Sequence, residues 1–416
     1  MSEQALSSTE GASEPKHRLW LLVLLTALTA IGPMATDLYL PSLTDIGADL
    51  SATPASVQLT ISLYLVGFAL AQLIYGPLSD RFGRRPVLIG GMALFTATSL
   101  LCALSQTIEQ LIVLRILQAT GACSGPVLAR AVIRDLYDRE RAAQALSYLS
   151  SAMALAPVLA PAMAGVATEI WGWRSSFYIL LVWGVLVCAA TILALPETNV
   201  RPDKHATRLG PLLLNYFRLL RHRSFVLYTL TGSFAYAGLF AFISGSAFVL
   251  MELAGMSAAV YGIAFGMTAG AFMLGALLSA RLTRRIGIDA MLMSATSVAV
   301  LSALTGVILV LSGAPVALAA LLPQLGFMMA LGCILPNAMA GAVAPFPHMA
   351  GTASGMLGCL QMFAGASAGI MVGQFYDDTA MPMQATLLGA AGLSFGAALL
   401  LRVRGAAKGQ ASACDL

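Results

Sequence analysis

The sequence predicts an all-α membrane protein of twelve transmembrane helices, built as two pseudo-symmetric six-helix bundles. Three observations predict it: apolar runs of bilayer-spanning length, basic residues gathered on one side of those runs, and a short basic segment repeated in each half.

A spanning helix needs about 20 mostly apolar residues. Runs of that kind fall at 18–40, 55–78, 86–105, 109–129, 143–168, 174–195, 224–250, 259–281, 289–312, 315–341, 351–375 and 382–402. The background composition agrees, with 58% hydrophobic and 10% charged residues and a mean hydropathy of +0.83. An ordinary soluble domain carries about 25% charged residues. The longest connection separates six runs from six. The expected organisation is a tail over 1–17, a first bundle over 18–195, a linker over 196–223, a second bundle over 224–402 and a tail over 403–416.

Charge sets the orientation. Of 23 Lys and Arg, all but Arg115 and Arg174 fall in the tails or in the connections after spans 2, 4, 6 and 8. The opposite connections carry mainly acids, including Asp45, Asp49, Glu169, Asp377 and Asp378. The positive-inside rule then puts both termini in the cytoplasm. The net charge of +4 is an orientation signal, and nucleic acid is not an expected partner. Within the linker, Leu212–Leu220 reads as a short amphipathic helix lying in the membrane interface.

The halves echo each other. Leu78-Ser79-Asp80-Arg81-Phe82-Gly83-Arg84-Arg85 follows span 2, and Leu278-Ser279-Ala280-Arg281-Leu282-Thr283-Arg284-Arg285 follows span 8. Internal repeats of this kind build many secondary transporters, with the substrate site between the halves near the bilayer midplane. The six cysteines and four histidines are scattered without metal-ligand or redox spacing. No metal and no cofactor are expected. An enzyme would need a clustered nucleophile and base, and none is visible.

Two ionisable residues stand inside spans. Arg115 lies about six residues into span 4, roughly 9 Å deep, and an intramembrane guanidinium is a functional hypothesis by default. Asp37, far along span 1, is the one acid within the core of any span. Burial raises a carboxyl pKa and a nearby arginine lowers it. A group so balanced can exchange protons, and the competing reading is a carboxylate wetted at the membrane boundary. For Arg115 the competing reading is structural pairing. Gln118, Tyr64, Tyr236, Asn337 and Gln361 are weaker candidates: each either contacts substrate or bonds a neighbouring helix.

The segment Gly76-Pro77-Leu78-Ser79-Asp80-Arg81-Phe82-Gly83-Arg84-Arg85 resembles the loop 2–3 motif of the major facilitator superfamily. The resemblance implies a gating loop on the cytoplasmic side. Because a helix dipole favours an anion at its N-terminus, Asp80 is expected to face the start of span 11 near Gly351-Thr352. Leu111-Ile112-Val113-Leu114-Arg115-Ile116-Leu117-Gln118 resembles the span 4 motif, whose arginine is tied to proton coupling; the usual glycine after the glutamine is Ala119, with Gly121 two places on. Pro157, Pro161 and Gly165 recur every four residues in span 5, on a packing and kink face that resembles the drug-antiporter motif. Asp37-Leu38-Tyr39-Leu40-Pro41, Arg134-Asp135-Leu136-Tyr137 and Leu195-Pro196-Glu197-Thr198 narrow the resemblance to the bicyclomycin- and chloramphenicol-resistance (Bcr/CflA) branch of twelve-span drug:proton antiporters.

That resemblance implies a monomeric exporter of small, largely apolar antibiotics in the bacterial inner membrane, embedded in lipid and driven by the proton gradient. The alternative is a proton-coupled carrier of a small metabolite.

Overall fold

The computed structural model describes residues 14–137, 145, 149, 160–161, 163–199, 202–203, 206–207, 209–346 and 349–414. Among these residues no strand occurs, and eleven helices are long and apolar enough to cross a membrane. The fifth expected span lies partly outside them, and its described part is helical over 163–171.

In the first half, α1 (Glu14–Asp37) leads through a 3-10 turn (Leu40–Ser42) into a short α2 (Leu43–Asp49). Pro41 stands at the start of that turn, where its fixed φ and missing N–H stop α1 from continuing. Helices α3 (Pro54–Phe82), α4 (Arg84–Ala103), α5 (Ile108–Leu136) and α6 (Arg174–Ala194) follow. Helix α5 is longer than span 4, so Arg130 and Arg134 ride on its last turns and not in a loop. The linker carries α7 (Leu209–Arg221). Its Leu213, Phe217 and Leu220 are exposed while Leu219 is buried, as an interfacial helix requires.

The second half contains α8 (Arg223–Ala247), continued by a π-helical turn (Phe248–Leu253), then α9 (Ala258–Ile286), α10 (Ile288–Leu311), α11 (Val316–Val343), α12 (Ala350–Gln374) and α13 (Met381–Cys414). Helix α13 runs past 402 into the expected tail.

Helices α1, α3 and α4 pack with α5 in one half, where α6 packs on α4, and α8 and α11 organise α9, α10, α12 and α13 in the other. Among the described residues the main contact between halves is α3 against α12. Leucine, isoleucine and valine side chains are exposed along outer helices, as with Leu301, Leu304, Ile308 and Leu311 on α10. Such patches on a soluble monomer would aggregate; here they face lipid.

The repeat is visible in the backbone, in a shifted register. Helices α3 and α9 each have 29 residues. Each starts behind a hydroxyl cap, Thr53 accepting from Ser56 N and Ser257 from Val260 N. Each ends at a glycine with positive φ, Gly83 (97°) and Gly287 (83°), and the next helix starts at once. A left-handed residue without a β-carbon is what lets two long helices turn so tightly. Gly83 is thus equivalent to Gly287, and Leu78–Gly83 to Leu282–Gly287. The arginine echo expected from Leu278–Arg285 sits one helical turn early.

Candidate functional site

Helix α5 carries Arg115 into the interior of the first half, where its side chain is fully buried. The last carbonyls of a helix have no partner within it, and Arg115 Nη1 donates to one of them, Ala35 O in the final turn of α1, at 3.0 Å. A cation there also meets the negative end of the helix dipole. The same Nη1 donates to Gln118 Oε1 at 2.6 Å, and Gln118 Nε2 donates to Ser99 Oγ at 2.8 Å. Aromatic rings cage the guanidinium: its carbon lies 4.2 Å from the Tyr64 centroid and 4.6 Å from that of Tyr39. Cation–π attraction of this kind strengthens when the pair is desolvated. Arg115 Nε and Nη2 and the Tyr64 hydroxyl are buried, with no hydrogen-bond partner among the described residues.

Asp37 is the last residue of α1 and is 4% exposed. Its Oδ1 accepts from Thr36 Oγ1 at 3.1 Å. Among the described residues no ion pair joins it to Arg115. The carboxyl instead lies within electrostatic range of three phenols: Tyr64, and Tyr236 and Tyr261 of the other half. Beyond Asp37 the turn is tied down by hydroxyls, with Tyr39 bonded to Thr60 at 2.8 Å and Ser42 to Thr168 at 2.9 Å. Burial of Asp37 argues against the reading of a carboxylate wetted at the boundary.

The weaker candidates separate. Gln118 braces Arg115. Asn337 Nδ2 joins α11 to α9 through Ser279 Oγ, 2.7 Å, and also bonds Cys333 O. Tyr236 reaches Met362 Sδ at 3.7 Å and packs on Phe240. Gln361 on α12 lies beside Gly232 of α8. Of these candidates, Gln118 and Tyr64 contact Arg115 directly, and Tyr64 and Tyr236 lie within electrostatic range of Asp37.

The loop after α3 is held by groups that the sequence analysis did not single out. The Glu197 carboxylate accepts from the backbone N–H of Arg84 (2.9 Å) and Arg85 (3.1 Å), capping α4. Arg84 Nε donates to Asp135 at 2.9 Å, and its Nη1 pairs with Asp80 at 2.5 Å. Arg81 bonds Thr207, and Arg85 caps the end of α6 at Ile192 O, 2.6 Å. Asp80 therefore pairs with Arg84, not with the start of α12, and the cation beside Gly351 is Arg134. Both acids lie in segments read only for resemblance, Leu195–Thr198 and Arg134–Tyr137. Gly76 meets no packing demand.

In span 5, Pro157 lies outside the described residues and Pro161 is buried. A β-carbon on Gly165 would come within 2.8 Å of the Ala258 carbonyl carbon, so span 5 packs directly on the start of α9. One turn on, Glu169 accepts from Ala259 N at 2.9 Å. At the α4–α5 contact Gly121 does the close packing, since a β-carbon there would lie 2.5 Å from Phe95 N.

A cation buried within one helical half and a carboxyl buried at the end of its first helix, inside a lipid-facing shell of two such halves, define a polytopic membrane protein of the two-bundle type. The model of the Major Facilitator Superfamily matches residues 24–370, and the chain belongs to that family. It is 30% identical to a bicyclomycin resistance protein homolog of Haemophilus influenzae, over 90% of this chain and 94% of that one. It is 33% identical to multidrug resistance protein D of Escherichia coli, over 82% and 85%. These names match the branch that the motifs resemble. Among solved structures, the nucleoside transporter NupG superposes with a TM-score of 0.71 at 16% identity, over 92% and 99% of the chains. That likeness concerns the fold.

Proposed function

We propose that this protein exports small, largely apolar antibiotics of the bicyclomycin or chloramphenicol type in exchange for protons, by alternating access. The observation that carries the reading is Asp37: a buried carboxyl at the meeting of the two halves, within range of tyrosines from both. Its proton changes the charge between the bundles, and that charge biases which face opens. Arg115 holds the α1 terminus through Ala35 O, with Tyr64 stacked on its guanidinium.

The orientation belongs to the same proposal. Both termini, the loop after α3 and α7 face the cytoplasm of a bacterial inner membrane, and the protein works as a monomer without a cofactor. One elementary charge crossing 100 mV yields about 2.3 kcal/mol, enough to drive a modest drug gradient. The names of the relatives support an antibiotic cargo, and the scarcity of intramembrane charge supports a neutral one.

Sealed vesicles containing the purified protein test it. Chloramphenicol flux should follow an imposed pH gradient and vanish in Asp37→Asn. Flux that is indifferent to both would overturn proton coupling. Flux of a nucleoside or sugar, with none of any antibiotic tried, would favour a metabolite carrier.

A further inference from the structure

Each half carries a groove at the bundle end where the basic loops after α3 and α9 lie. The first, of about 600 Å³, is lined by Trp20 of α1, Arg85 of α4, Leu136 and Tyr137 at the end of α5, and Leu193 and Pro196 at the end of α6. The second, of about 540 Å³, is lined by Tyr228 of α8, Asp289 at the start of α10, and Arg402 of α13. Both volumes fall within the range of about 300–1,000 Å³ that holds small ligands. The grooves are equivalent in the repeat. Arg85 stands two residues after Gly83, and Asp289 two residues after Gly287.

The same place therefore carries opposite charges in the two halves. In the second groove the Asp289 carboxylate accepts from the Tyr228 hydroxyl, and Arg402 balances its charge. In the first groove, among the described residues, Arg85 has no acid beside it in the lining. The nearby Glu197 is committed to the backbone N–H groups of Arg84, Arg85 and Asn199. Arg85 Nη2 donates to Ile192 O at 2.6 Å, while its Nε has no hydrogen-bond partner among the described residues. The guanidinium is thus fixed in place with donors to spare, in the fork geometry that suits an oxyanion. The wall around it belongs to a membrane surface. Leu193 is 85% exposed and Leu136 is also exposed, with Trp20 and Tyr137 half-buried beside them. Such aromatic rings gather where head groups meet acyl chains. Positive-inside placement accounts for a cation at this depth. It does not account for a walled groove around that cation.

We propose that the first groove is a binding site for one anionic phospholipid, whose phosphate is held by Arg85 and whose acyl chains lie along Leu136 and Leu193. Basic pockets between helices hold lipid head groups by this chemistry. A head group that carries an ammonium meets no carboxylate in the groove, so a phosphate without an ammonium is preferred. The lipid joins the start of α1 and α4 to the ends of α5 and α6. In the orientation proposed above it comes from the cytoplasmic leaflet, and the binding itself is independent of the cargo.

The test uses the delipidated full-length protein in detergent, titrated with phosphatidylglycerol or phosphatidylethanolamine and read by native mass spectrometry and by melting temperature. The parent should hold one phosphatidylglycerol per chain at least about tenfold more tightly than phosphatidylethanolamine, and should melt higher when it does. Arg85→Gln should lose that preference, and Asp289→Asn, in the sister groove, should keep it. Leu193→Glu puts a carboxylate at an exposed position of the groove and should weaken phosphatidylglycerol alone; it carries the test where Arg85→Gln fails to fold. Equal affinity of the parent for the two lipids overturns the site, as does an undiminished preference in either groove variant. Inorganic phosphate that raises the melting temperature as far as phosphatidylglycerol overturns a lipid as the occupant.

Discussion

Arg115 donates to the carbonyl of Ala35 at 3.0 Å, so the buried cation closes the end of α1 and leaves Asp37, two residues on, without an ion pair. Residues two apart on a helix project about 200° apart. The Asp37 side chain therefore projects away from that of Ala35 and accepts from Thr36, while Tyr64 stacks on the guanidinium and lies within electrostatic range of the carboxyl.

That arrangement makes Gln118 a positioning residue. Gln118→Ala removes the 2.6 Å bond to Arg115 and leaves another buried guanidinium donor unpaired, a loss of about 1–3 kcal/mol. The expected result is a lower melting temperature in detergent, with a fall in maximal flux at unchanged substrate KM. A raised KM at unchanged stability would make Gln118 a substrate contact.

Arg115→Lys keeps the charge and loses the flat guanidinium between Tyr39 and Tyr64. An ammonium cannot reproduce the fork or the stacking. Folding should survive at reduced stability, while gradient-driven flux should fall by at least tenfold, read in the same vesicle assay.

Glu197→Ala uncaps α4, whose Arg84 and Arg85 N–H groups it accepts. Lost caps cost about 0.5–2 kcal/mol. Gly83→Ala at φ 97° should cost about 1–2 kcal/mol through strain at a left-handed position. Its β-carbon would also meet the same carboxylate, so the two substitutions should be non-additive in a double-mutant cycle of thermal stabilities.

Glu169 ties span 5 to α9 across the halves. Hydrogen bonds from Ala259 N–H and the Ser257 hydroxyl hold its carboxyl below the usual carboxylate range. A lowered pKa means that the tie is complete above the ordinary range and is lost only as pH falls through the lowered value. The distance between spin labels at Gln106→Cys and Ser312→Cys, exposed positions of opposite halves, should therefore hold from neutral to mildly acid pH in an Asp37→Asn background. Glu169→Ala, which removes the acceptor, should lengthen it across that whole range.

Much of the fold was legible because hydropathy and charge are local sums. Eleven of the predicted spans sit on helices close to where the apolar runs placed them, and Arg115 was marked by its cost in lipid. The repeat was legible in kind but misplaced by four residues, because arginines drew the match while the equivalent point is the glycine turn. Gln118 and Asn337 turned out to bond neighbouring helices, which a residue list cannot distinguish from a cavity wall.

The sequence by itself determined a membrane protein of two repeated halves, with one acid and one arginine inside its spans. The spans and their ionisable residues follow from the transfer energy of single residues, and the repeat from self-similarity along the chain; neither needs knowledge of spatial neighbours. Only the tertiary structure decided what those residues touch: Ala35 O for Arg115, the Thr36 hydroxyl for Asp37, and Arg84 for Asp80. A free carbonyl exists only where a helix happens to stop, and an empty glycine face matters only when another helix crosses it.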